Sequence, residues 1–180
     1  MATNEVPRER KRPNAIYLFE RVQIGRRPAD TYRFLTTMVP DRYREMAKGH
    51  ECFEVRGGGD LVEGCVIDCH ERAGNQEVRH AYEVRQLVPD ERIHYASAPT
   101  RTRVHLKSRT IEGTGNTHVY YDLAPGPFGS TELAMTIVIE LPNIAQKLLA
   151  TLGRARRIWG DHQREELAML AGMVEAMPAV

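Results

Sequence analysis

The chain has 180 residues, enough for one domain with a sizeable core and no need of disulfides or a structural metal. Its 25 basic and 24 acidic residues nearly cancel, so no global field points to nucleic acid or to an anionic membrane. No apolar run approaches the roughly 18–20 residues that span a bilayer, and no signal-peptide-like stretch opens the chain, so a cytoplasmic protein with neither kind of partner is expected.

Residues 1–13 are polar, charged and bounded by proline, which predicts a flexible arm ahead of a single domain over 14–177. The first ordered element starts at Asn14 and runs to Ile24, rich in β-branched and aromatic residues, with Gly25 as its stop. Two short helices follow, over 30–38 and 41–48, separated by Pro40. From there to residue 141 the period is two. Segments near 51–56, 61–71, 77–88, 91–97, 103–111, 117–123 and 130–141 read as strands. Turn signals between them include Gly57-Gly58-Gly59-Asp60, Ala73-Gly74-Asn75, Pro89-Asp90 and Gly113-Thr114-Gly115-Asn116. Short connections of this kind predict an antiparallel meander. After Pro142 and Asn143 the chain runs without proline to Met177, which predicts one long helix, weakened at Gly153 and Gly160.

Steps of four and three along that helix give Leu148, Leu152, Ala155, Trp159, His162, Glu166, Met169 and Met173, the face expected to cover the sheet. His162 and Glu166 interrupt it with polar groups one turn apart. As an i, i+4 pair they could simply hydrogen-bond each other at the core edge. A buried carboxylate, however, costs several kcal/mol unless a cation, a metal or several donors compensate it, so a partner is expected. In the strand 61–71 the odd positions carry the apolar centre Cys65-Ile67-Cys69, so Glu71 either follows them to the cavity side or turns to water as the strand ends. His50 lies where the second short helix turns into the sheet. Together, His50, Glu71, His162 and Glu166 form a two-histidine, two-carboxylate set suited to Zn²⁺ or a similar divalent ion.

Other residues carry weaker signals. His80 and Tyr82 alternate with Val78 and Val84 on one strand face, and Tyr43 sits on the second short helix. Tyr43 and His80 are therefore candidate catalytic residues beside the pocket, with ordinary packing as the plainer reading. The alternation Arg101, Arg103, His105, Lys107, Arg109 reads as a solvated outer face. The cysteines Cys52, Cys65 and Cys69, odd in number and set in apolar patterns, read as thiols in a reducing compartment.

The succession of one strand, two short helices, an antiparallel run and a long last helix resembles the helix-grip fold of the Bet v 1 / START / polyketide cyclase superfamily. The resemblance implies an α+β domain whose curved antiparallel sheet wraps the C-terminal helix around a ligand cavity. More narrowly, His50, then Glu71 in Glu71-Arg72-Ala73-Gly74, then His162 and Glu166 resemble the zinc-dependent 2,4-diacetylphloroglucinol hydrolase family. That likeness implies zinc ligation by His50, Glu71, His162 and Glu166 and cleavage of a carbon–carbon bond beside an aryl ketone. The spacing leaves Glu83 open as an alternative second carboxylate. The competing expectations are a metal-free protein that binds a lipid, sterol or polyketide, or cyclises one, and a module that presents its cavity or sheet face to a protein. The expected partner is a small hydrophobic or aromatic molecule, with a homodimer as a further option.

Overall fold

A computed structural model describes residues 12–37, 40–105, 108, 110–152 and 154–178. Eight strands make one antiparallel sheet: β1 (Ala15–Ile24), β2 (His50–Val55), β3 (Val66–Ala73), β4 (Gln76–Val88), β5 (Arg92–Ser97), β6 (Thr100–His105), β7 (Thr110–Pro125) and β8 (Thr131–Glu140). Helices α1 (Pro28–Thr36) and α2 (Pro40–Met46) lie between β1 and β2, and α3 (Ile144–Leu152) and α4 (Ala155–Glu175) close the chain. The sheet order is β1-β8-β7-β5-β4-β3-β2, and β6 pairs with both β4 and β7. Thus β5 and β6 sit end to end between the two long strands β4 and β7.

Local chemistry explains most boundaries. Pro28 supplies the first helical position of α1, where its missing N–H costs nothing. Alternation on β3 buries Ile67, Cys69 and Ala73, the odd positions, as the sequence implies. On β4 it buries Val78, His80, Tyr82 and Val84. Of these, Ile67, Cys69, Tyr82 and Val84 join a core that includes Phe34, Met46, Ile93, Leu133, Leu167, Leu170 and Val174. A smaller cluster joins Ile16, Leu18, Ala73, Val78, Ala155 and Trp159 at the other end of α4.

Three expectations are corrected. The segment 113–116 is strand, not turn: it lies inside β7, where Gly113 faces Thr102 and Gly115 faces Thr100. Gly115 is there for backbone proximity, since a Cβ on it would lie 2.7 Å from the Glu140 carbonyl oxygen. Residues 61–65 precede the strand rather than join it, because β3 begins at Val66. The last helix is divided at Arg154, which takes a left-handed conformation (φ 62°) and starts α4 afresh. Leu148 and Leu152 therefore leave the buried stripe and are exposed. Past Glu166 the buried face continues through Leu170 and Val174 rather than through Met169, which is exposed, and Met173, which is half-buried against the core.

Of the predicted arm, residues 1–11 lie outside the described residues. Arg12 is tied down, its backbone N–H donating to the Tyr17 hydroxyl and its guanidinium pairing with Glu140. Arg101, Arg103 and His105 are exposed on β6, with both arginines paired to Glu112, as a solvated face requires; Lys107 and Arg109 lie outside the described residues.

Candidate metal centre

Five elements bring the predicted ligands and their anchors together: β2, β3, α2, α4 and, through Tyr121, β7. Strand β2 begins at His50, directly opposite Glu71 on β3. A bulge between His50 and Cys52 shifts the register, which lets both His50 and Phe53 face inward although they differ in parity. From the other side α4 delivers His162 and Glu166, one turn apart, and α2 brings Tyr43. Glu83, the alternative carboxylate, is not part of the group. It stands between inward-facing Tyr82 and Val84, is 42% exposed and pairs with Arg85 at 2.9 Å.

The imidazoles of His50 and His162 face each other, Nε2 to Nε2, at 3.1 Å. His50 Nδ1 lies 2.8 Å from the Tyr43 carbonyl oxygen. A carbonyl can only accept, so Nδ1 carries the proton and Nε2 keeps its lone pair toward the centre. The Tyr43 ring stacks flat on His50, with centroids 4.0 Å apart, and Trp159 meets His162 edge-on. Both histidines are thereby fixed in orientation.

The two carboxylates divide their oxygens in the same way. Tyr121 donates its hydroxyl to Oε1 of Glu166 at 2.8 Å, and Oε2 of Glu166 lies 3.8 Å from His50 Nε2. Tyr43 donates to Oε1 of Glu71, where the Cys69 thiol also donates at 3.0 Å, and Oε2 of Glu71 lies 4.0 Å from His162 Nε2. In each case one oxygen is anchored by a phenol and the other is turned toward an imidazole. The donor atoms of His50, Glu71 and His162 all lie within 4.8 Å of one another, and Glu166 adjoins them through His50. Ligands about 2.0–2.1 Å from a tetrahedral zinc stand roughly 3.3 Å apart, so the imidazole pair at 3.1 Å would open slightly and the carboxylate oxygens at 3.8 and 4.0 Å would move inward. Side-chain exposure ranges from 0% at His50 to 17% at Glu71, which makes Glu71 the open edge of the group.

Electrostatics places a demand on this site. Burial works to raise Glu71, but the imidazoles of His50, His162 and His80 outweigh it and hold the carboxyl at about 2. Burial and the neighbouring Glu71 charge push Glu166 up to about 7, against the pull of His162 and the Tyr121 hydroxyl. Two carboxylates thus share a dry volume that favours only one negative charge, and a divalent cation would stabilise both. Burial also pushes the hydroxyls of Tyr43 and Tyr121 well above their usual value, so they stay protonated as donors.

The raised Glu166 predicts a measurable pH effect in chelator-treated protein. The folded chain holds a proton on Glu166 that the unfolded chain releases, so this contribution is full below pH 4.5 and is lost as pH rises to about 7. His80 and His94 work in the opposite sense, since burial lowers both from 6.5 to about 4 and their contribution grows as pH rises across that range. The difference between wild type and Glu166→Gln isolates the first effect. The glutamine variant should gain stability relative to wild type between pH 4.5 and 7, by an amount on the order of 3 kcal/mol at the plateau. Urea denaturation at a series of pH values measures it, and a difference that stays flat with pH contradicts it.

The sequence pattern singles out His50, Glu71, His162 and Glu166, which the structure brings together, but not Tyr121 or the thiol of Cys69, which anchor the two carboxylates. Tyr121 was legible in principle, because Val119, Tyr121 and Leu123 alternate inward on β7. Cys69 was read only as an apolar filler, although its sulfur also lies 3.1 Å from the Tyr43 hydroxyl.

No protein-family model matches the chain, and no curated protein matches it by sequence. Solved structures do match by shape. TTHA0849 from Thermus thermophilus aligns with a TM-score of 0.61 at 13% identity, over 91% of this chain and 100% of that one. Ara h 8.0201 aligns at 0.57 and 8% identity, over 91% and 99%. Ginseng major latex-like protein 151 from Panax ginseng aligns at 0.61 and 10% identity, over 91% and 99%. At these identities the likeness is one of architecture, and it agrees with the sheet and long C-terminal helix seen here. The chain therefore has the Bet v 1-like helix-grip fold.

Proposed function

We propose that this chain is a zinc-dependent hydrolase that cleaves a carbon–carbon bond in a small aromatic or polyketide-like ketone. The reading rests on one observation: two buried imidazole nitrogens 3.1 Å apart, each with a carboxylate oxygen at 3.8–4.0 Å. His50, Glu71 and His162 would hold the metal, with Glu166 as a fourth, more weakly placed ligand; three protein ligands and one exchangeable position suit catalysis. A bound zinc ion would polarise the ketone or acidify a water beside it.

The chain's own groups supply the rest. Thr100 donates its hydroxyl to the Ala98 carbonyl at 2.9 Å, so its oxygen accepts from His80 Nδ1 at 3.3 Å. His80 is then left with an unprotonated Nε2 in the buried layer, and its pKa of about 4 keeps it neutral at pH 7. We assign it the proton-accepting role. Tyr43 is assigned to positioning, because its hydroxyl proton is committed to Glu71.

Elemental analysis of protein purified without a histidine tag tests the metal, with close to one zinc per chain expected. No divalent metal, together with stability indifferent to a chelator, removes the proposal. Tyr121→Phe should fold normally yet weaken zinc binding about 10- to 100-fold, because Glu166 loses its anchor. Competition with a chromophoric chelator measures this, and unchanged affinity would take Glu166 out of the ligand set.

One observation favours a second reading, a metal-free protein that binds a hydrophobic ligand or cyclises a polyketide. The 3.1 Å contact also closes as an N–H···N hydrogen bond from His162 to His50, and Glu71 and Glu166 already accept bonds from tyrosine. Under that reading the same elemental analysis finds no zinc.

A further inference from the structure

Helix α3 is oriented the wrong way round for a helix packed on its own sheet. Its half-buried positions are Gln146, Lys147 and Ala150, and none of its nine residues is buried. Ile144, Leu148, Leu149 and Leu152 are instead exposed by 64, 59, 68 and 72%. Residues 144, 148 and 152 repeat every four and Leu149 lies beside them, so the four make one stripe. Single exposed leucines are ordinary, but a contiguous stripe marks a contact surface.

The charges around the stripe select what it contacts. At the α3–α4 junction Arg154, Arg156, Arg157 and Arg164, with Thr151 and Gly160, line an open depression of about 450 Å³. Arg164 is engaged by Glu20 and Asp161. Arg154, Arg156 and Arg157 are exposed and form no ion pair with a described residue. A second copy of this chain docked by a two-fold axis on α3 would offer these arginines no carboxylate from α3, whose nine residues carry none. A surface that is apolar within and negatively charged at its rim satisfies both features.

We propose that α3 docks on an anionic phospholipid membrane, with the leucine stripe among the acyl chains and the arginine depression around a lipid phosphate. Guanidinium groups match phosphate oxygens bidentately, and a short amphipathic helix with basic flanks binds at the interface without spanning it. Among the described residues no helix is long and apolar enough to cross a membrane, so this is contact at the surface. It departs from the sequence-based expectation of no membrane partner. That expectation rested on the near-zero net charge, which hides a local cluster, and on the lack of a spanning apolar run, which surface contact does not need.

The full chain should co-sediment with vesicles in which roughly a third of the lipid is phosphatidylserine, and not with pure phosphatidylcholine vesicles. Raising the salt should release it, because the basic contacts are screened. Each basic residue near such a surface strengthens binding about fivefold, so combining Arg156→Glu with Arg157→Glu should weaken it by about 25-fold or more. Combining Leu148→Glu with Leu149→Glu should weaken it at least about tenfold. All four positions are exposed, so melting and zinc content should stay as in wild type, which separates this test from that of the metal site. Absence of vesicle binding, or binding that neither double variant reduces, overturns the proposal. So does salt-insensitive self-association abolished by Leu149→Glu without any vesicle binding.

Discussion

Alanine in place of His162 is expected to reduce bound zinc from about one equivalent to background, an affinity loss of at least about 100-fold. Loss of groups that only orient a ligand costs about 10–100-fold, and loss of the ligand itself costs more. His162 Nε2 faces His50 at 3.1 Å and Glu71 at 4.0 Å, so removing it breaks the group at its middle. The same change deletes a ring packed edge-on against Trp159, which should lower the stability of the metal-free protein by about 2–4 kcal/mol. The two losses are separable. Zinc titration and urea denaturation on chelator-treated protein report them independently, and His50→Ala should repeat the pattern from the opposite side. A large stability loss with zinc content unchanged would mean that the pair serves packing alone.

How much of this was legible in the sequence depends on the range of the forces involved. His162 and Glu166 stood out because a helix has a fixed period, and two polar groups on an otherwise apolar stripe need no tertiary information to be noticed. The sequence could not show on which side of Glu166 the stripe continues. Steps of three and four are equally helical, and packing against β1 and the short helices chooses Leu170 and Val174 over Met169. Strand pairing is the other non-local term. Gly113 to Asn116 carry turn residues, yet pairing with β6 and β8 makes them strand. His50 and Glu71 lie on different strands, and a bulge is what puts them opposite each other with both side chains inward. No short-range pattern encodes that. The phenol anchors belong to the same class, since Tyr121 meets Glu166 across the whole layer between sheet and helix.

Gly49→Ala should be the most damaging single-methyl change near the site. The turn from α2 into β2 passes so close to β3 that a Cβ on Gly49 would lie 1.7 Å from the Arg72 carbonyl oxygen and 3.2 Å from His162 Cε1. The contact is backbone against backbone, closed by the hydrogen bond from Arg72 N–H to the Gly49 carbonyl at 2.8 Å, so no side chain can swing aside to relieve it. The turn has to move, and His50 moves with it. Forcing an extra methyl into packed structure costs about 1–3 kcal/mol, and a backbone clash lies at the upper end. The effect on zinc should be larger than that loss alone implies. A shift of His50 breaks its Nδ1 bond to the Tyr43 carbonyl and its Nε2 contact with His162 together, which removes both the orientation of one ligand and the spacing of two. Zinc affinity should therefore fall at least about tenfold under conditions where the variant is still folded. Chelator competition below the melting transition measures it. An alanine variant that melts and binds zinc like wild type would show that the turn yields without displacing His50, and that close packing at Gly49 does not set the geometry of the centre.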